Sequence, residues 1–149
     1  MAQKILIIED DLEIRKNLVT ILEMNGFETI CASNGNIGLQ LALSHLPDLI
    51  ISDVMMPVLD GFELLTELRK HDETINTPFL FLTARTEKQD MREGMNLGAD
   101  DFITKPFDVD DLVNAVIARL NKSKAKREHY QKKFDELRFN LSRSLPHEI

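Results

Sequence analysis

A single cysteine, Cys31, is all the thiol that this chain of 149 residues holds. No disulfide can close within it, which argues for a reducing cytoplasm as its setting. As a strand residue, Cys31 reads as a small buried hydrophobe rather than a reactive thiol. Long apolar runs are missing too. None approaches the roughly 18 residues of a membrane span, and no signal-peptide pattern opens the chain, so no membrane partner is expected. Internal repeats and low-complexity tracts are absent. Residues 122–149 have no glycine and one proline, Pro146.

Charge of one sign is scarce in each part of the chain. Residues 122–149 carry eight Lys/Arg and four Asp/Glu, a balance of +4. Residues 1–121 carry ten and twenty-one, a balance of −11. So acidic a body would repel phosphates, which speaks against direct nucleic-acid binding by that part. The change of sign marks a boundary near residue 121. What is present is otherwise ordinary for a globular protein, 43% hydrophobic and 29% charged, with length for about one domain and a short appendage.

Five apolar runs alternate with five segments of helical spacing. "KILIIEDD" (4–11), an apolar run ending in three acids, "ETICAS" (28–33), "DLIISD" (48–53), "FLFLTA" (79–84) and "DFITKP" (101–106) read as strands. Between them, "DLEIRKNLVTILEMNG" (11–26) sets Leu12, Arg15, Leu18, Val19 and Leu22 on helical spacing, with Gly26 as its stop. Helices are also expected over 34–46, 62–71, 87–98 and 108–120. Alternation of this kind predicts a doubly wound α/β fold with a parallel five-stranded sheet. Ligands in such folds bind at the carboxyl ends of the strands.

Those ends carry the unusual residues. Glu9, Asp10 and Asp11 close the first strand, Asp53 the third, Thr83 the fourth and Lys105-Pro106 the fifth. Clustered carboxylates repel unless a counter-charge joins them, and a hard oxygen-liganded cation such as Mg²⁺ removes that conflict. Lys105 and Thr83 suit phosphate oxygens, and a carboxylate such as Asp53 can act as the nucleophile that forms an aspartyl phosphate. Taken singly, each residue suits a helix cap or a solvated turn; together they form a complementary set.

The motifs "ILIIEDD", "DLIISDVMMPVLDG", "FLFLTAR" and "GADDFITKPF", in this order, resemble the receiver domain of two-component response regulators over residues 3–121. The resemblance implies a flavodoxin-like strand order 2-1-3-4-5. It makes Asp53 the acceptor of a phosphoryl group from a phosphohistidine donor, a sensor kinase or phosphotransfer protein. Asp10 would hold Mg²⁺ directly, Glu9 through water, and Met55 by its backbone carbonyl. Lys105 would reach the phosphoryl group, with Pro106 after a cis bond. Thr83 and Phe102 would be the switch residues, Phe102 acting by packing because it lacks the hydroxyl of the tyrosine common there. Met55 and Arg85 occupy the positions that flank the water attacking the phosphoryl group, which implies slow self-dephosphorylation. Asp11 fits a helix cap better than a metal ligand.

Past residue 121, Tyr130, Phe134, Leu137 and Leu141 recur at spacings of four, three and four, a heptad-like stripe. This predicts a helix over 122–145 continuing the last one, and a parallel homodimer. The final "SRSLPHEI" resembles the opening of a histidine-kinase dimerisation helix, whose box reads Ser-x-x-x-His-Glu-Leu/Ile-Arg-Thr-Pro; the Arg-Thr-Pro portion is absent here. His147 would then be a kinase phosphoacceptor. The expected division is a receiver over 1–121 and an extension over 122–149, leading into a kinase module of a hybrid protein. A DNA-binding regulator or a stand-alone receiver is the alternative. Winged-helix members usually carry basic residues where Met91 and Ala115 stand here.

Overall fold

The computed structural model describes residues 2–84 and 88–144. Five parallel strands form one sheet: β1 (Lys4–Ile8), β2 (Glu28–Ala32), β3 (Leu49–Ser52), β4 (Phe79–Thr83) and β5 (Asp101–Thr104). Their order is β2-β1-β3-β4-β5. The helices are α1 (Leu12–Met24), α2 (Gly35–His45), α3 (Gly61–Leu68), α4 (Lys88–Asn96) and α5 (Val109–Ser144). The flavodoxin-like order expected from the motifs is the one observed.

Successive strand residues face opposite sides of the sheet, and here both sides are apolar. Leu6, Ile8, Ile50, Phe79 and Phe81 pack with α2 and α3 on one side. Ile5, Ile7, Leu49, Ile51 and Leu80 pack with Leu18 and Leu22 of α1 and Leu112, Val116 and Leu120 of α5 on the other. The three inner strands are almost wholly buried, whereas the edge strands β2 and β5 are not. Cys31 is therefore exposed, not buried as its apolar setting suggested. Its neighbours still desolvate the thiol and raise its pKa, which disfavours the reactive thiolate.

Local chemistry sets the helix starts. Asp11 caps α1, accepting from the backbone N–H groups of Glu13 at 2.9 Å and Ile14 at 3.1 Å. The capping role settles on Asp11 for that reason. Asp60 and Glu63 form a reciprocal capping box at the start of α3. Lys105-Pro106 is a cis bond, as the motif implied.

The last helix is longer than one element of the sheet needs. Residues 109–144 form a single helix of 36 residues, with no break at the change of charge near 121. At about 1.5 Å per residue it spans roughly 54 Å. Tyr130, Phe134, Leu137 and Leu141 are each 56–61% exposed. His147 and Pro146, like Arg85, lie outside the described residues.

Candidate functional site

The strand order brings the ends of β1, β3, β4 and β5 side by side, and with them the residues singled out by the motifs. Lys105 Nζ lies 2.7 Å from Glu9 Oε2 and 3.0 Å from Asp53 Oδ2. Carboxylate oxygens of Glu9, Asp10 and Asp53 all lie within 4.8 Å of one another. Glu9, Asp53 and Thr83 are buried, whereas Asp10 is exposed at the mouth. Thr83 is joined to the lysine loop through its carbonyl, which accepts from the Lys105 backbone N–H at 2.9 Å.

Burial dominates the electrostatics of Glu9. It raises the carboxyl above its usual pKa, reinforced by the Asp53 charge and opposed by Lys105. For Lys105, burial works against the ammonium, but hydrogen bonds and charges from Glu9 and Asp53 outweigh it and raise the pKa. Both partners of one ion pair thus shift upward. The lysine stays charged, and the pair leaves an excess of negative charge: one cation against three carboxylates. The donor set is all oxygen, with one member open to solvent. This fits a hard divalent cation that keeps several waters, and Mg²⁺ in particular.

Three residues hold this geometry that the motifs did not single out for it. Arg15 Nη1 donates to the Glu9 carbonyl at 2.6 Å. Its signal was a cation on the apolar stripe of α1, where only a side chain with a polar target belongs. Ser52 Oγ donates to the Asp53 carbonyl at 2.9 Å from a fully buried position. Gly61 lets α3 start against the strand end, its N–H donating to Val54 O at 2.8 Å. Phe102 packs its ring 5.0 Å from that of Phe81, with Gly94 beneath it. The Met55 side chain is exposed beside Asp53.

The response regulator receiver domain model matches residues 5–117. The chain belongs to that family. A receiver of known structure, from a signal transduction histidine kinase of Syntrophus aciditrophicus, superimposes with a TM-score of 0.75 at 36% identity, over 81% of this chain and 92% of that one. The DNA-binding dual master transcriptional regulator RpaA of Synechocystis sp. is 44% identical over 121 residues, which are 80% of this chain and 50% of RpaA. The alkaline phosphatase synthesis transcriptional regulatory protein PhoP of Bacillus subtilis is 39% identical over 137 residues, 92% of this chain and 56% of PhoP. The chain spans about half the length of these curated relatives. No described helix of this receiver is long and apolar enough to cross a membrane.

Proposed function

We propose that the chain is the receiver of a DNA-binding response regulator and that Asp53 accepts its phosphoryl group from a phosphohistidine. The single observation that carries the acceptor role is the bridge from Lys105 to both Glu9 and Asp53 at 2.7 and 3.0 Å. In the transfer, the P–N bond to the donor imidazole breaks as a P–O bond forms to an Asp53 carboxylate oxygen, and the imidazole, already protonated on its other ring nitrogen, leaves as the neutral ring. Such transfers need positioning and charge stabilisation more than covalent machinery. Lys105 and Thr83 supply donors to the phosphoryl oxygens. Mg²⁺, held by Asp10, Asp53 and the Met55 carbonyl, with Glu9 through water, would add the remaining positive charge.

The product adds roughly −1.5 to −2 charge at one strand tip. Lys105 then gains a stronger partner, and Thr83 and Phe102 are the residues through which β4 and β5 feel it. Phe102 responds by packing alone, against Phe81 and Gly94. The relatives named as transcriptional regulators favour the DNA-binding output over the kinase module first expected from "SRSLPHEI". With −11 charges on residues 1–121, DNA contact would fall to a part of the protein other than the receiver. The expected homodimer through 122–145 draws support from the exposed stripe on α5, and none from the charges beside it.

Mass spectrometry after incubation with acetyl phosphate and Mg²⁺ tests the acceptor role. Two further outcomes are expected. Asp10→Ala should weaken Mg²⁺ binding at least about tenfold, as loss of one charged ligand from a carboxylate site does; calorimetry giving the parental affinity would remove Asp10 from the ligand set. Met55→Asn should shorten the lifetime of the aspartyl phosphate, since a polar side chain replaces an apolar one beside the approaching water. An unchanged decay rate would show that Met55 does not control water access.

A further inference from the structure

The stripe on α5 begins beside the receiver. With Phe134 at position a of a heptad and Leu137 at d, the register runs back through Tyr130 (d), Arg127 (a) and Ser123 (d) to Leu120 (a) and Val116 (d). Val116 and Leu120 are buried against the sheet. Tyr130 lines a groove of about 480 Å³ between α5 and the base of the receiver, at the end of the sheet opposite Asp53. The walls of this groove differ in charge. The receiver side presents Asp48, Asp72, Glu73 and Asp100, and the helix side Lys122, Lys126 and Arg127. Asp48 and Asp100 also accept the backbone N–H groups of Lys4 at 2.7 Å and Phe79 at 2.8 Å. Asp72 and Glu73 are exposed and make no ion pair among the described residues. These acids repel an acidic ligand and draw a basic one.

The far end of α5 is such a ligand. Residues 138–144 carry Arg138 and Arg143 and no carboxylate. Phe139 is 61% exposed although it falls at f, off the stripe, with the Arg143 guanidinium 5.6 Å from its ring centroid. The end of one helix reaches the groove of another copy only if the two helices run in opposite directions. The flanks favour that direction. In the parallel pair expected from the stripe, two Arg127 side chains meet across the axis and Lys133 meets Arg138. In an antiparallel pair with Phe134 level with Leu137 of the partner, Tyr130 falls level with its Leu141, so all four stripe residues find apolar neighbours. Lys133 then flanks Asn140, Gln131 flanks Arg138, and the two Arg127 lie about 26 Å apart. No like charges meet.

We propose that two copies pair through α5 as an antiparallel dimer, each helix end docking at the base of the partner's receiver. Arg143 of one copy comes level with the stretch from Arg127 to Tyr130 that lines the other's groove, where Asp72 and Glu73 answer its charge. Phe139, one turn before it on the same face, is covered in the same contact. The seam itself is short, about 17 Å from Tyr130 to Leu141, and a helix pair of that length is weak alone. Contact with the partner's receiver supplies the rest. The two receivers are thereby held apart, with their Leu120 residues about 46 Å from each other along the axis, rather than side by side. The inference rests on the homodimer expected from the stripe and not on the chemistry of Asp53.

The experiment uses the whole 149-residue chain. Sedimentation velocity should show a dimer for the parent and a monomer for Phe134→Asp with Leu137→Asp. A Cys31→Ser, Ala125→Cys chain carries one nitroxide at an exposed outer position of α5, and double electron–electron resonance reads the distance between copies. Antiparallel copies set the labels about 32 Å apart along the axis, whereas a parallel pair holds them level, about 20–24 Å across two helices. Arg143→Glu should weaken dimerisation at least about tenfold, and so should Asp72→Lys with Glu73→Lys; the chain carrying all three should recover most of the loss. A monomeric parent overturns the expected homodimer and this inference together, whether or not it binds phosphatidylcholine–phosphatidylglycerol vesicles instead. A dimer with the shorter distance overturns the antiparallel arrangement and leaves the homodimer standing. A dimer with the longer distance that ignores the charge variants overturns the docking on the receiver.

Discussion

Asp53→Asn should leave a folded chain that takes up no phosphoryl group from acetyl phosphate in the presence of Mg²⁺. The amide keeps the volume and an oxygen for Lys105, so the packing around the strand end survives. What it lacks is the anionic oxygen that attacks phosphorus. No other carboxylate stands in for it. Glu9 is 1% exposed, bonded to Lys105, and held above its usual pKa by burial. Asp10 is exposed and, among the described residues, lacks a lysine bridge of the kind that Asp53 makes. Intact-mass measurement decides the matter: phosphoryl mass gained by the Asp53→Asn chain would refute the assignment.

Gly61→Ala should be the most damaging small substitution near the site. A Cβ there would run into the Asp53 carbonyl oxygen, 2.7 Å from the Phe81 ring and 3.0 Å from Val54 Cα. Two of these obstacles are backbone. The third is a ring fixed by Phe62, Phe79 and Phe102 at centroid distances of 5.2, 4.9 and 5.0 Å. Overpacking of this kind costs about 1–3 kcal/mol, and each kcal/mol lowers the midpoint by about 2–4 °C in a chain of this size. The strand end must also shift, carrying Asp53 away from Lys105, so phosphorylation should slow as well. Gly26→Ala provides the contrast. It meets nothing within 4 Å and pays only for a φ of +88°, a strain of about 1 kcal/mol. Thermal denaturation of both variants, showing Gly61→Ala no worse than Gly26→Ala, would discount the close approach.

The parallel sheet was legible because apolar runs and helical spacing alternate cleanly, and its order came from the receiver resemblance that the strand-end motifs carry. The gathering of Glu9, Asp53, Thr83 and Lys105 followed from their strand-end positions together with that order. Solvent access of Cys31 was misjudged from its apolar run: the expected order already set β2 at an edge with no outer neighbour, and that edge leaves the thiol exposed. The Arg15 bond to the Glu9 carbonyl was out of reach for a similar reason, since a stripe shows which face a residue occupies but not what its tip touches. On α5, the spacing of Tyr130, Phe134, Leu137 and Leu141 correctly marked an apolar stripe.

The lysine bridge has a consequence for the order in which the chain is made. Lys105 and Glu9 are 96 residues apart in sequence, and Lys105 and Asp53 are 52 apart. A growing chain that has formed β1, β2, β3 and β4 holds its acids at adjacent strand tips with no cation among them. Only when β5 adds at the edge beside β4 does Lys105 arrive. Until then, the carboxylates repel one another and any phosphodonor that approaches. On the proposed acceptor role, a chain cut short before β5 would lack the lysine that this site sets among its acids, while α5, made later still, closes the core behind it.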